Sequence, residues 1–144
     1  MSGTYIDSFR GRIFENQPYI ETVGKWNSRD LFVRWKHNLQ FTYTEGAWSG
    51  TLWQSYTSGY KDEKPLGVVP PGFNPDVGTY IFYSASATYS GYKNWTIMGG
   101  IKNLFNTDPP FTAHNVDFAS GAGWDPRVAD PRGRAYTARV TYRF

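Results

Sequence analysis

RAYTARVTYRF, residues Arg134–Phe144, is the stretch whose reading decides the fold. Tyr136, Ala138, Val140, Tyr142 and Phe144 share one phase of a two-residue period, and Ala135, Thr137, Arg139, Thr141 and Arg143 share the other. Successive side chains of a strand point to opposite faces, so this segment has an apolar face and a polar, cationic one. From Tyr136 to Phe144 the extended chain covers roughly 26 Å, or about 20 Å of height at a tilt of ~40°. Outer-membrane barrels carry an outward apolar band ~25 Å tall with aromatics at both interfaces, and their inward side chains meet water. The arginines then face the wet side. The competing reading is the half-buried last strand of a soluble β-sandwich, whose apolar face a second layer would have to cover.

Composition narrows the field. At 144 residues the chain is long enough for one domain with a core. It has no cysteine, which removes disulfide frameworks and thiolate metal sites. A net charge of +3 from 15 basic and 12 acidic residues is too even to argue for nucleic acid. No apolar run approaches the ~18 residues of a membrane helix, which leaves membrane strands open because they alternate. MSGTYIDSF lacks the apolar stretch of a signal peptide, so an exported protein would have its beginning elsewhere.

Taken in order, Gly3–Phe9 is a short strand of ambiguous facing, and Arg10–Arg29 holds a hairpin outside any membrane (FRGRIF, then YIETVGKW). Val33–Thr44 alternates, with Leu39, Phe41 and Tyr43 against Asn38, Gln40, Thr42 and Thr44. Glu45-Gly46 reverses the chain into Ala47–Tyr60, where Trp48, Gly50, Leu52 and Tyr56 share the apolar phase. Trp53 and Gln54 break that pattern, each lying on the wrong phase. Residues 61–77, with four of the nine prolines, read as a long loop. Thr79–Tyr89 and Trp95–Leu104 form the next pair across a short turn at 90–94. A second long loop, 105–133, leads to the final strand.

Loop length therefore alternates between short turns at 45–46 and 90–94 and long connections at 61–77 and 105–133. Membrane barrels sort their loops in this way, with tight periplasmic turns and long extracellular loops. The expected fold is all-β, an antiparallel meander of about six strands. A closed barrel of six would enclose too little room, since even ~8 strands only just admit side chains. An open sheet would leave unpaired edges in lipid. The expectation is an arc of a larger barrel, residues 1–144 being an incomplete piece of one barrel domain.

Three stretches bear a family likeness: residues 34–60 (RWKHNLQFTYTEGAWSGTLWQSYTSGY), 101–110 (IKNLFNTDPP) and 124–144 (WDPRVADPRGRAYTARVTYRF). KNLF after a strand, then DPP, then DPR and ADPRGR before a last strand ending in Phe resemble the carboxyl-terminal end of TonB-dependent outer-membrane receptors. The resemblance covers essentially the whole chain, most firmly from Arg34 onward. It implies a 22-strand barrel with a plug inside, in the outer membrane of a Gram-negative bacterium. It also implies TonB-energised uptake of a scarce nutrient such as an iron–siderophore complex. Implied partners are outer-membrane lipid, the rest of the barrel and plug, TonB acting through that plug, the barrel-assembly machinery and a small-molecule ligand; nucleic acid is not among them. The chain itself has no plug, TonB-box segment or signal peptide, so the fragment alone is not expected to transport. Tyr136, Val140, Tyr142 and Phe144 resemble the signal read by the barrel-assembly machinery. Two other classes fit the alternation: a soluble aromatic-rich, carbohydrate-type β-sandwich module and a small self-contained outer-membrane barrel.

No enzyme chemistry, cofactor or metal site is expected. His37 and His114 have no Cys, Asp or Glu at ligand spacing, and no Ser-His-Asp arrangement can be assembled. Asp125 and Asp130 read as turn residues that pair with Arg132 and Arg134. Gly99-Gly100 reads as a place for close packing or a bend. Ligand contact, if any, is expected from loop aromatics and cations, namely Tyr60, Lys61, Phe73, Phe111, Trp124 and Arg127, a set suited to anionic or catecholate-like groups. Lys102, Arg139 and Arg143 on the wet phase would bias the interior toward anions.

Overall fold

The computed structural model describes residues 1–12, 14–27, 30–62, 71–113 and 123–144. Six strands make one antiparallel sheet in chain order: β1 (Ser2–Tyr5), β2 (Trp35–Glu45), β3 (Trp48–Thr57), β4 (Tyr80–Tyr89), β5 (Trp95–Lys102) and β6 (Ala135–Tyr142). No helix occurs among the described residues. Alternation specifies the register, because a slip of one residue would exchange the two faces. The β2–β3 turn is set by Gly46 at φ +56°, a region that glycine enters without strain. Asn94 serves the β4–β5 turn at φ +66°, a conformation that asparagine tolerates better than most residues. Beyond β5, Asn103 also has positive φ, and its side chain bonds both the amide and the carbonyl of Thr107. That Asx-type loop turns the chain out of the sheet.

The register runs coherently across the sheet. Leu39 lies opposite Gln54, Phe41 opposite Leu52, and Tyr43 opposite Gly50. Leu52 meets Ala85 and Trp48 meets Tyr89, Tyr89 meets Ile97, and Ile97 meets Val140. All of these share one face. The opposite face carries Asn38–Ser55, Thr42–Thr51, Thr51–Ser86, Thr88–Met98 and Met98–Arg139 pairs.

Two expectations need revision. The first strand is shorter than Gly3–Phe9: it stops at Tyr5, and after the Ile6–Arg34 backbone bond the chain leaves the sheet. Phe9 then bonds Thr22 through its backbone and packs its ring 4.5 Å from Phe32. The ambiguous facing also resolves, for Tyr5 lies opposite Trp35 on the apolar face. The hairpin foreseen in 10–29 reduces to two short ladders, Arg10–Gly11 with Ile20–Glu21 and Trp26–Asn27 with Asp30–Leu31. Glu21 holds the first one together. Its carboxylate accepts bonds from the Ser8 hydroxyl and the Phe9 and Val23 amides, which draw its pKa down from 4.5 to about 2.

The long loop foreseen at 61–77 is closed at its base by a ladder between Tyr60–Lys61 and Asp76–Val77. Tyr60 and Val77 are buried there with Val33, and Leu31 and Val128 pack against them. This is the core of the described molecule, and it lies beyond the long-loop ends of the strands. Among the described residues no second layer covers the apolar face of the sheet: Tyr136 is 71% and Val140 60% exposed. A water-soluble domain hides its largest apolar surface and leaves patches of only a few hundred Å².

Candidate functional site

The apolar face divides into three levels. Near the short turns, Trp48 packs 4.7 Å from Tyr89, Trp95 4.8 Å from Tyr142, and Tyr142 meets Phe144 edge-on at 5.1 Å. Near the long loops, Tyr5 lies 6.2 Å from Trp35, His37 stacks on Tyr56 at 4.9 Å, and Tyr83 meets Phe105 edge-on. Between these rows lie Leu39, Phe41, Leu52, Ala85, Ala87, Ile97 and Val140, and no charged group. The residues read as an assembly signal, Tyr136, Val140, Tyr142 and Phe144, are all exposed. The first three are paired on this face opposite Ile101, Ile97 and Trp95.

Gln54 and His37 interrupt the apolar face, and the structure gives the physical reason. Trp35 Nε1–H donates to His37 Nδ1 at 2.7 Å. His37 Nε2 lies 3.2 Å from Gln54 Oε1, and Gln54 Nε2 donates to the Tyr83 hydroxyl at 2.7 Å. Four polar groups on three strands are thus linked by hydrogen bonds, which lowers the cost of their presence on an apolar surface. Trp53, the other exception, faces the polar side. There it lines an open groove of about 380 Å³ with Phe82, Met98 and Lys102. Phe82 was invisible as a site residue because only its distance from Trp53 in space, not in sequence, brings them together.

Cations dominate the polar face. Lys36, Lys102 and Arg139 occupy it, and no carboxylate does at the paired positions. Hydroxyl and amide pairs such as Thr42–Thr51 (3.0 Å) and Asn38–Ser55 (2.7 Å) fill the rest. Over its long-loop end lies the segment 124–133, built from two like turns. In each, an aspartate accepts from the backbone amide and guanidinium of the arginine two residues on: Asp125 with Arg127, Asp130 with Arg132. Pro126 and Pro131 favour this extended entry, and Gly133 at φ +66° releases the chain into β6. The strands hold the segment from below. Lys36 donates to the Arg127 carbonyl at 2.8 Å, Tyr80 to the Asp130 carbonyl at 3.2 Å, and Lys102 pairs with Asp130 at 2.6 Å. The Arg132 guanidinium and then the Lys102 ammonium hold the Asp130 carboxyl well below the usual carboxylate range. The expected pairing is thus corrected in part: Arg132 uses Asp130, but Asp125 takes Arg127, and Arg134 bonds Asn106 through its backbone.

The loop residues expected to meet a ligand are not equivalent. Tyr60 is 5% exposed within the core, where burial pushes its hydroxyl up to about 12. Lys61 pairs with Asp76. Arg127 is committed to Asp125, whose side chain is wholly buried, and stacks over Trp26 at 4.6 Å. Phe111 is exposed, while Phe73 and Trp124 are half-buried. Trp124, Arg127, Tyr80 and Phe82 line an open hollow of about 400 Å³ next to the Trp53 groove. Behind Phe111, buried Thr112 donates to Asp62 at 2.8 Å, tying two long loops together. His114 falls outside the described residues. Of Gly99-Gly100 only the second is crowded: a Cβ there would come 2.8 Å from the Thr137 hydroxyl.

Compared with known protein families, with curated proteins and with solved structures, the chain matches none.

Proposed function

We propose that this chain is a length of wall from a TonB-dependent outer-membrane receptor barrel, an arc of a 22-strand cylinder whose other strands and plug lie outside these residues. The apolar face meets hydrocarbon, the polar face meets the lumen, and the loop cap stands on the extracellular side. The barrel would import a scarce nutrient such as an iron–siderophore complex, drawing energy from TonB through the plug. The lumen-side groove at Trp53, Phe82 and Lys102 offers aromatic and cationic contacts to an anionic ligand. Catalysis is not part of this reading. The observation that carries it is the uncovered apolar face, framed by two aromatic rows and opposite a hydroxyl-rich cationic face.

The test is bromolipid quenching of tryptophan fluorescence, using variants that keep one tryptophan each, in protein purified from the membranes of producing cells. Trp48 and Trp95 are expected to be quenched strongly and Trp53 weakly. Equal quenching of Trp48 and Trp53, or recovery of the protein only from the soluble fraction, would end the proposal.

A further inference from the structure

The direction of the hydrogen bonds on the apolar face is fixed by its first member. An indole nitrogen can only donate, so His37 Nδ1 must accept from Trp35. The proton of the neutral ring then sits on Nε2 and points to Gln54, which requires the amide oxygen there. Gln54 therefore turns its NH₂ toward Tyr83, and the Tyr83 oxygen accepts. Reversing any link would put two donors or two acceptors face to face. The Tyr83 hydroxyl proton is left over at the far end. Among the described residues nothing accepts it, although each donor upstream polarises the next.

This donor stands on β4 at the level of the upper aromatic row, beside the exposed Phe105 ring. No lysine or arginine shares the paired positions of the face. A phosphate would call for a cation. A neutral acceptor would not, and a bilayer supplies one at this depth, where the glycerol esters meet the hydrocarbon.

We propose that Tyr83 is the donor of a lipid-binding site whose ligand is the ester carbonyl of a membrane glycerolipid. The inference rests on the membrane reading above and adds a specific contact to it. Trp35, His37 and Gln54 are its positioning residues: they set which way the tyrosine proton points without touching the lipid.

The experiment compares wild-type protein with Tyr83→Phe, which keeps the ring and removes only the hydroxyl. Both are reconstituted into vesicles of diacyl phosphatidylcholine and of the dialkyl ether analogue, which lacks carbonyls but has the same headgroup and chain length. Because the Tyr83 oxygen also accepts from Gln54, the variant is expected to lose stability in both lipids. In ester vesicles its folded-to-unfolded ratio is expected to fall about fivefold further than in ether vesicles, the size of one neutral hydrogen bond. The same loss in both lipids would assign the proton to water or to protein and overturn the site. No loss in ester vesicles would overturn it as well. In either case the membrane reading survives, whereas failure of wild-type protein to enter either vesicle removes both.

Discussion

Leu52 offers the sharpest test of which medium lies against the apolar face. It stands four residues from Trp48 and four from Tyr56 on β3, so about 14 Å of strand separates it from each aromatic row. At a tilt of ~40° that is about 10 Å of height, which puts Leu52 near the midplane of the band. Replacing it with arginine there costs ~3 kcal/mol, roughly a hundredfold or more in the folded-to-unfolded ratio. In water the same change would cost little, because Leu52 is already 44% exposed and no layer of the described residues lies over it. Thr51, its neighbour, faces the other way and shares a 3.0 Å hydroxyl contact with Thr42. Thr51→Arg should therefore lose at most ~1 kcal/mol. Urea titration of both variants in lipid vesicles, followed by tryptophan fluorescence, measures the difference. Penalties within ~0.5 kcal/mol of each other would refute the assignment of the faces.

Other consequences follow from the loop cap. Asp130→Asn should release Lys102 and Arg132 together, raising tryptic cleavage after Arg132 severalfold while vesicle stability changes little, since Arg132 is largely exposed. Asp125→Ala removes a wholly buried acceptor of the Arg127 amide and guanidinium; it should cost about 2 kcal/mol, read as a lower thermal midpoint. Glu21 has a depressed folded pKa, so the unfolded chain binds more protons in the window from 4.5 to about 2. Its contribution is present in full above that window and fades as pH falls through it. Protection factors of the Phe9 and Val23 amides, corrected for the slower intrinsic exchange in acid, should fall accordingly, and protection unchanged at pH ~2.5 would contradict the sign.

The sheet was legible because its information is local. Val33–Thr44, Thr79–Tyr89 and Arg134–Phe144 each announce a strand through alternation alone, and Glu45-Gly46 announces the reversal. Strand ends were less legible: Phe9 continues the alternation of the first strand, yet Phe32 and Thr22 draw it out of the sheet. The loop cap could not be read in advance. Thr112 and Asp62 lie 50 positions apart and meet through one hydroxyl, with no periodicity to announce the contact. Gln54 and His37 looked like errors in a pattern because a linear reading cannot see that Trp35 and Tyr83 stand on either side of them. Tyr60 looked like a ligand contact for the same reason, since loop membership suggests exposure and Val33 and Val77 deny it.

The segment that carries the two aspartate–arginine turns is anchored to β2 by Lys36, to β4 by Tyr80 and to β5 by Lys102, all from one side. It is thus a chord strung between strands three places apart, about 14 Å across the sheet. A chord on one side of a flexible ribbon opposes flattening and favours bending toward that side. The curvature of the sheet at its long-loop end is then governed by three side chains, two lysines and a tyrosine, and on the barrel reading proposed above a change in any of them would be felt as a change of bore.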